Sequence, residues 1–575
     1  MSVTQSKPAT RSTTPTTAQE EYDFIVVGAG TGMLAALAAK EAGLSVLIVE
    51  KSEYVGGSTA LSGGGFWVPP NPLLAKEGIA DSRERVREYL THVTAGETTE
   101  ERWGTFLDHG ADAVRALARL TPLGFLHMAE YADYFPELPG GSAAGRAMEP
   151  APFDARTLGE ARAHIRPPAL SAPMPMPVTG RSYRWMNLVA RHPRGIVTSA
   201  KLLGLGVGGM ALRREYIAGG GALAAGLYAG LLKLGVPVWR NAPLTGLVVE
   251  DGRVCGVTLE RDGSPVTVRA RCGVLLSAGG FDRNEKMRHE YQSEQLETDW
   301  ALGSPSLTGD AITIAQEQAG ADLAFMDEAW WFPAIPLEGP MPGVLLAERS
   351  LPGQIIVNQA GERFMNEAVN YMTAGQILIK EQLPVWMVFD QRYRNRYVFG
   401  GGVFPRQALP QAWYDQGVAH KADTLQGLAD RVGLPHLTAT VERFNLLSAA
   451  GRDDDFHRGD SAYDRYYGDP TISPNPCLGP IDKGPYYAVK VVAGDLGTCG
   501  GVRADGHARA LRPDGTVIEG LYASGNAAGN AFGRVYPGPG ATIGQGLTYG
   551  WIAAQHAAGR LPSEVGTAYD QPVSA

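Results

Sequence analysis

Late in the chain, Phe532-Gly-Arg-Val-Tyr536-Pro537-Gly538-Pro539-Gly540 places a phenol and a backbone N–H on one loop, and two proline rings stiffen that loop and remove competing donors. Two donors converging on a carbonyl oxygen stabilise the enolate-like charge that develops as an adjacent proton leaves; each good donor contributes roughly 3–4 kcal/mol. Tyr536 and Gly540 are therefore candidates for an electrophilic device acting on a neutral ketone.

The other residues with chemistry in their pattern are glycines. Asp23-Phe-Ile-Val-Val reads as a short buried strand, Gly28-Ala-Gly30-Thr31-Gly32-Met33 as a tight turn, and Leu34 to Ala42 as a helix. Gly28 permits the turn, Gly30 lets a pyrophosphate approach the backbone, and the helix N-terminus favours its negative charge. Leu44 to Glu50 supplies a second strand, whose terminal carboxylate suits the two hydroxyls of an adenosine ribose and repels a 2′-phosphate. Met33 stands where the third glycine of the pattern falls, so the helix is expected to pack less closely on the strand. Lys51 to Gly65 adds a second run of backbone donors containing Gly57, Ser58, Thr59, Ser62, Gly63 and Gly64. Near the C-terminus, Gly520 to Gly529, with Gly525 and Asn526, again runs from strand into turn, and Thr542-Ile543-Gly544 can open a helix. Two distant glycine-rich elements point to one large dinucleotide held from both ends of the chain.

These stretches, with Gly273-Val-Leu-Leu-Ser-Ala278-Gly279-Gly280-Phe281 as a returning strand, resemble the flavoprotein superfamily that contains fumarate reductase over nearly the whole chain. The resemblance implies FAD. Covalent attachment in that superfamily uses a His just after the Gly-Gly pair; Ser58 occupies that place, so the FAD is expected to be non-covalent. Gly400-Gly-Gly402 lacks a preceding strand and reads as a loop, leaving no second dinucleotide signature. A separate electron acceptor is expected, with a quinone as the candidate.

Tyr536-Pro-Gly-Pro-Gly540, Asn366-Glu-Ala-Val-Asn-Tyr371 and Tyr131-Ala-Asp-Tyr134-Phe-Pro closely resemble motifs of the 3-ketosteroid Δ1-dehydrogenases. The resemblance implies that Tyr536 and Gly540 bind the 3-keto oxygen of a 3-ketosteroid substrate. It also implies that Tyr371, assisted by Tyr134, takes the C2 proton, and that FAD N5 receives the C1 hydride. An unperturbed phenol, with a pKa near 10, is a poor base at neutral pH. A second phenol donating to it, and polarisation of the ketone, are the aids this role requires. The alternatives are a ketosteroid Δ4-(5α)-dehydrogenase, a fumarate-reductase-like enzyme acting on a carboxylate, and a flavin electron-transfer or binding protein. The Tyr-Pro-Gly-Pro-Gly motif favours the first reading. Tyr131, Ala329 to Pro333 and Val344-Leu345-Leu346 are expected to line an apolar substrate pocket.

What must position these residues is a large α/β chain. Its 575 residues exceed what one hydrophobic core serves, and 44% hydrophobic with 19% charged residues is ordinary globular composition. The expected architecture is a Rossmann-like FAD-binding domain, 21–326 and 495–561, with an inserted α+β catalytic domain, 327–494. A disordered arm, 1–20, and a tail, 562–575, flank it. A net charge of -9 and the lack of any sustained Lys/Arg run argue against nucleic acid as a partner. The eleven His residues and four Cys form no metal-ligand or disulfide pattern, so no metal is expected. The first twenty residues hold no apolar signal core, and a cytoplasmic location is expected. The Pro-, Met- and Leu-rich stretch at about 167–214 is read as a lid, a buried helical pair or a peripheral membrane contact.

Overall fold

The computed structural model describes residues 20–168, 175–339 and 341–561. Its first layer is a largely parallel sheet. Strand β1 (Glu20–Val27) enters with the run Phe24-Ile-Val-Val, buried on both faces as a central parallel strand must be. The turn that follows opens helix α1 (Gly32–Glu41), and β2 (Val46–Val49) returns parallel to β1. Gly32, not the missing third glycine, makes the close helix–sheet approach: a Cβ there would lie 2.9 Å from both Ser277 and Val26. Met33 is simply buried beside it, so the looser packing expected from Met33 does not arise.

Helix α2 (Glu100–Leu120) and the helices α3 (Gly180–Asn187), α4 (Pro193–Ala211) and α5 (Gly219–Leu234) precede the long strand β3 (Ser264–Leu276). β3 pairs parallel with β1 on its other side, and an antiparallel hairpin, Leu244–Glu250 with Arg253–Arg261, leans on its outer half.

The second layer is an antiparallel sheet built from β4 (Ala329–Ile335), β5 (Val385–Asp390) and β6 (Tyr486–Thr498), with Gly343–Val344, Gln354–Val357 and Ala419–Ala422 along its edges. Helix α6 (Tyr371–Leu378) lies directly on β4, because Gly375 has no side chain: a Cβ would sit 2.1 Å from that of Trp331. The position 494/495, where the sequence reading divides the domains, falls inside the continuous strand β6. The chain then re-enters the first sheet as β7 (Val517–Ala523), parallel to β3, and ends in helix α7 (Ala541–Ala557), packed on α1.

Helix α4 leaves apolar side chains in solvent: Met210 is 64% exposed and Leu212, just beyond its end, 71%. Among the described residues no helix is long and apolar enough to cross a membrane. No group of three or more His, Cys, Asp or Glu side chains able to hold a metal occurs among them either.

Candidate active site

A cavity of about 620 Å³ runs between the two sheets. At one end it is walled by the first turn: Gly28, Gly30 and Thr31, with Glu50 and Lys51 from the end of β2. Gly28 adopts φ +105 and stands where a Cβ would meet the Ser277 carbonyl oxygen at 2.3 Å, so no other residue fits. The Glu50 carboxylate accepts the N–H groups of Ala29 and Ser52, both at 2.9 Å. Lys51 Nζ pairs with Asp310 at 2.6 Å.

Gly57, Ser58, Thr59, Ser62, Gly63 and Gly64 continue the wall, Ala278 and Gly279 add to it from the end of β3, and Gly525, Asn526, Thr542 and Ile543 close it from the far end of the sequence. Gly57 and Gly63 have nothing within 4 Å of a notional Cβ, which leaves a cradle open toward the cavity. Ser277 Oγ, on the same wall, is buried without a hydrogen-bond partner. A glycine cradle, a helix N-terminus and an orphaned hydroxyl along one channel fit an extended dinucleotide such as FAD. Gly32 is a packing residue and does not line it.

At the other end three tyrosines from distant segments meet. The ring centroids of Tyr134 lie 5.2 Å from Tyr371 and 5.0 Å from Tyr536, and Tyr371 and Tyr536 are 5.6 Å apart. Burial pushes Tyr371 well above the ordinary phenol range, with the nearby Tyr134 hydroxyl pulling the other way. Tyr536 is pushed up only to about 12 by burial, because Tyr371 and the N–H groups of Thr542 and Gly540 lie close to its oxygen. Tyr536 Oη and the Gly540 N–H thus share one locality, at the N-terminus of α7. Gly540 has φ +91, and a Cβ there would be 2.2 Å from the Gly65 carbonyl oxygen. Tyr134 Oη is buried and has no hydrogen-bond partner.

Each tyrosine is held by its own support. Pro537 O accepts the Tyr134 N–H at 3.1 Å and the Tyr89 hydroxyl at 2.6 Å, which fastens the late loop to the first segment. Asp133, next to Tyr134, accepts the Trp67 indole N–H at 2.8 Å and pairs with Arg146; burial pushes its carboxyl up to about 6. Tyr371 opens α6 behind the Asn370 cap. The loop leading to it is pinned by buried Arg349, which donates to the carbonyls of Glu367 and Val369, and by Glu367 lying between Arg363 and Arg458.

Of the expected substrate-pocket residues, Tyr131 lines the cavity but Leu345 does not. Leu345 is fully buried, and its neighbours Val344 and Leu346 form the wall instead, as alternation along an extended edge requires. From Ala329–Pro333 only Phe332 reaches the cavity; Trp330 packs on Tyr536 with centroids 4.6 Å apart. Met128, Tyr183, Met341 and Tyr467 also line it, although no local pattern in the sequence marks them, and so does Gly401. Gly401 belongs to the glycine loop read there as a plain connection.

Comparison with known proteins places the chain in a family. The FAD binding domain family matches residues 23–543. A 3-oxosteroid 1-dehydrogenase of Mycolicibacterium smegmatis is 46% identical over 93% of this chain and 97% of its own. A 4-oxocyclohexanecarboxylate 2-dehydrogenase of Sinomonas cyclohexanicum is 34% identical over 95% and 94%. The crystal structure of a 3-ketosteroid Δ1-dehydrogenase from Sterolibacterium denitrificans, in complex with 1,4-androstadiene-3,17-dione, superposes with a TM-score of 0.89 at 38% identity, covering 94% of this chain and all of that one.

Proposed function

The chain belongs to the FAD-dependent 3-oxosteroid 1-dehydrogenase family, and from that premise we propose that it desaturates the C1–C2 bond in the A ring of a 3-ketosteroid. The observation that carries this reading is the convergence of Tyr134, Tyr371 and Tyr536 beside Gly540 at one end of the dinucleotide channel. Tyr536 Oη–H and the Gly540 N–H hold the 3-keto oxygen, and the positive end of α7 adds to the field there. Polarising that ketone acidifies C2. Tyr371 Oη takes the C2 proton, and Tyr134, with its unpartnered hydroxyl, donates to the phenolate that does so. Bound FAD supplies the acceptor for the hydride that leaves C1. Tyr131, Phe332, Val344 and Leu346 exclude water from the ring being oxidised. Anaerobic mixing with androst-4-ene-3,17-dione is expected to bleach the flavin and yield the 1,4-diene. Absence of bleaching with every 3-ketosteroid refutes the reading.

A second reading, a small keto-ring carboxylate as substrate, follows the Sinomonas relative. Against it, Lys51 is the one cation among the described residues lining the cavity, and Asp310 already pairs with it.

The one strand–turn–helix dinucleotide signature would hold FAD, and a separate acceptor, a quinone in our reading, would be needed to reoxidise it. The stretch 180–215 carries seven Arg and Lys against one acidic residue, in a chain of net charge -9, and its helix α4 exposes apolar side chains. Tyr183, in this stretch, and Thr179, immediately before it, wall the cavity. This charge and apolar face suit peripheral contact with an anionic membrane surface. Cosedimentation with anionic vesicles, reduced by M210S together with L212S, supports the contact; equal recovery with neutral and anionic vesicles removes it.

A further inference from the structure

The reaction read above needs Tyr371 and Tyr536 at a fixed spacing, since one must reach a C2 hydrogen while the other holds the oxygen on C3. These residues lie on different elements, α6 and the late loop, and one side chain bridges the two. Gln376, five residues after Tyr371 on α6, uses its amide nitrogen twice: it donates to Arg534 O at 2.9 Å and to Glu328 Oε2 at 2.9 Å. Both partners are acceptors, so the amide can point only its NH2 toward them. Arg534 precedes Tyr536 by two residues, and its own guanidinium is held from outside by Asp327 at 3.0 Å.

Glu328 is the second anchor. Its buried carboxylate also accepts the Trp331 indole N–H and the Ala329 N–H, and Trp331 is the β4 residue on which Gly375 rests. Its backbone carbonyl takes the Gln292 side chain at 3.0 Å. The base-bearing helix is thus registered against β4 and, through the same residue, against the loop that carries the keto-oxygen donors.

We propose that Gln376 is a positioning residue for deprotonation at C2, setting the spacing of Tyr371 from Tyr536; the inference rests on the proposed roles of those two tyrosines. Gln376 itself does not line the cavity. Replacing it with a residue of similar volume and no hydrogen bonds lets helix and loop drift without opening a hole. The test compares wild type with Gln376→Leu and Gln376→Met by anaerobic flavin bleaching with androst-4-ene-3,17-dione, unlabelled and deuterated at C2 or at C1.

The expected result is a limiting rate lower by about 10- to 100-fold, as misplacement on the order of 1 Å produces. Half-saturation should change less than about threefold, with FAD content and melting temperature close to wild type. The C2 isotope effect should rise while the C1 effect does not, because only the proton transfer has lost its geometry. A limiting rate within about threefold of wild type in both variants overturns the proposal. So does a slower rate accompanied by FAD loss or lower melting with both isotope effects unchanged, which marks a merely structural side chain. Failure of wild type itself to bleach overturns instead the reading on which the proposal stands, and separates the two.

Discussion

Replacing Tyr371 with Phe isolates one oxygen atom. The ring makes its contacts with Tyr134, Phe332 and Tyr536 at centroid distances of 5.2, 4.9 and 5.6 Å, and Phe keeps all three. The substitution removes one hydroxyl on the cavity wall, and even a whole hydrogen bond is worth only about 1 kcal/mol, so fold and FAD content should survive. Catalysis should not. A positioned general base is worth about 10²–10⁴-fold, or about 2.7–5.4 kcal/mol of barrier. The assay is anaerobic stopped-flow bleaching of the flavin under saturating androst-4-ene-3,17-dione, with FAD-to-protein ratio and melting temperature as controls. Bleaching that slows by less than tenfold in a variant with full FAD content refutes the assignment of Tyr371 as base. The wild-type pH dependence has a definite sign. Burial holds Tyr371 neutral at rest, so the reactive phenolate fraction grows with pH. The rate at low substrate should climb between about pH 7 and 9, toward tenfold per unit, and a flat profile contradicts a phenolate base.

Three further outcomes follow from the same geometry. Tyr536→Phe removes one of two keto-oxygen donors and should lower the limiting bleaching rate by about 10²–10³-fold with FAD retained; a rate within tenfold assigns the donor elsewhere. Gly540→Ala forces a Cβ to 2.2 Å from the Gly65 carbonyl oxygen at φ +91, and should abolish turnover and lower the melting temperature by several degrees in a thermal shift measurement. Glu50→Ala releases the N–H groups of Ala29 and Ser52 at the first turn, and flavin fluorescence titration of the apoprotein should show FAD binding at least about tenfold weaker.

The cofactor channel was legible because its residues act through the backbone. A glycine that permits a turn does so within its own few neighbours, and Gly28, Gly57, Gly63 and Gly525 stand where their spacing put them. The tyrosines were a different matter: nothing local to Tyr134 or Tyr371 marks a phenol as more than core, and their roles came from motif resemblance. Leu345 failed because it follows directly on the two-residue edge strand Gly343–Val344, where a one-residue slip in extended chain exchanges wall for interior. The supports were invisible for a simpler reason. Arg349 reaches carbonyls eighteen and twenty residues away, and Gln376 reaches one 158 residues away. Such partners acquire meaning only after the chain has folded.

The pairing of β7 with β3 bears on how this protein is made. β3 presents its parallel edge from residue 274 to 276, and the strand that covers it, 521 to 523, is synthesised about 245 residues later. Throughout that interval the growing polypeptide carries an open hydrophobic edge of the kind that recruits foreign strands. Ribosome-bound chains halted before β7 should therefore engage holding chaperones strongly, and chains halted after α7 should let them go. Low yields of the recombinant protein would then trace to the time between these two strands, and slowing initiation or adding chaperone should raise soluble yield more than stabilising the finished fold.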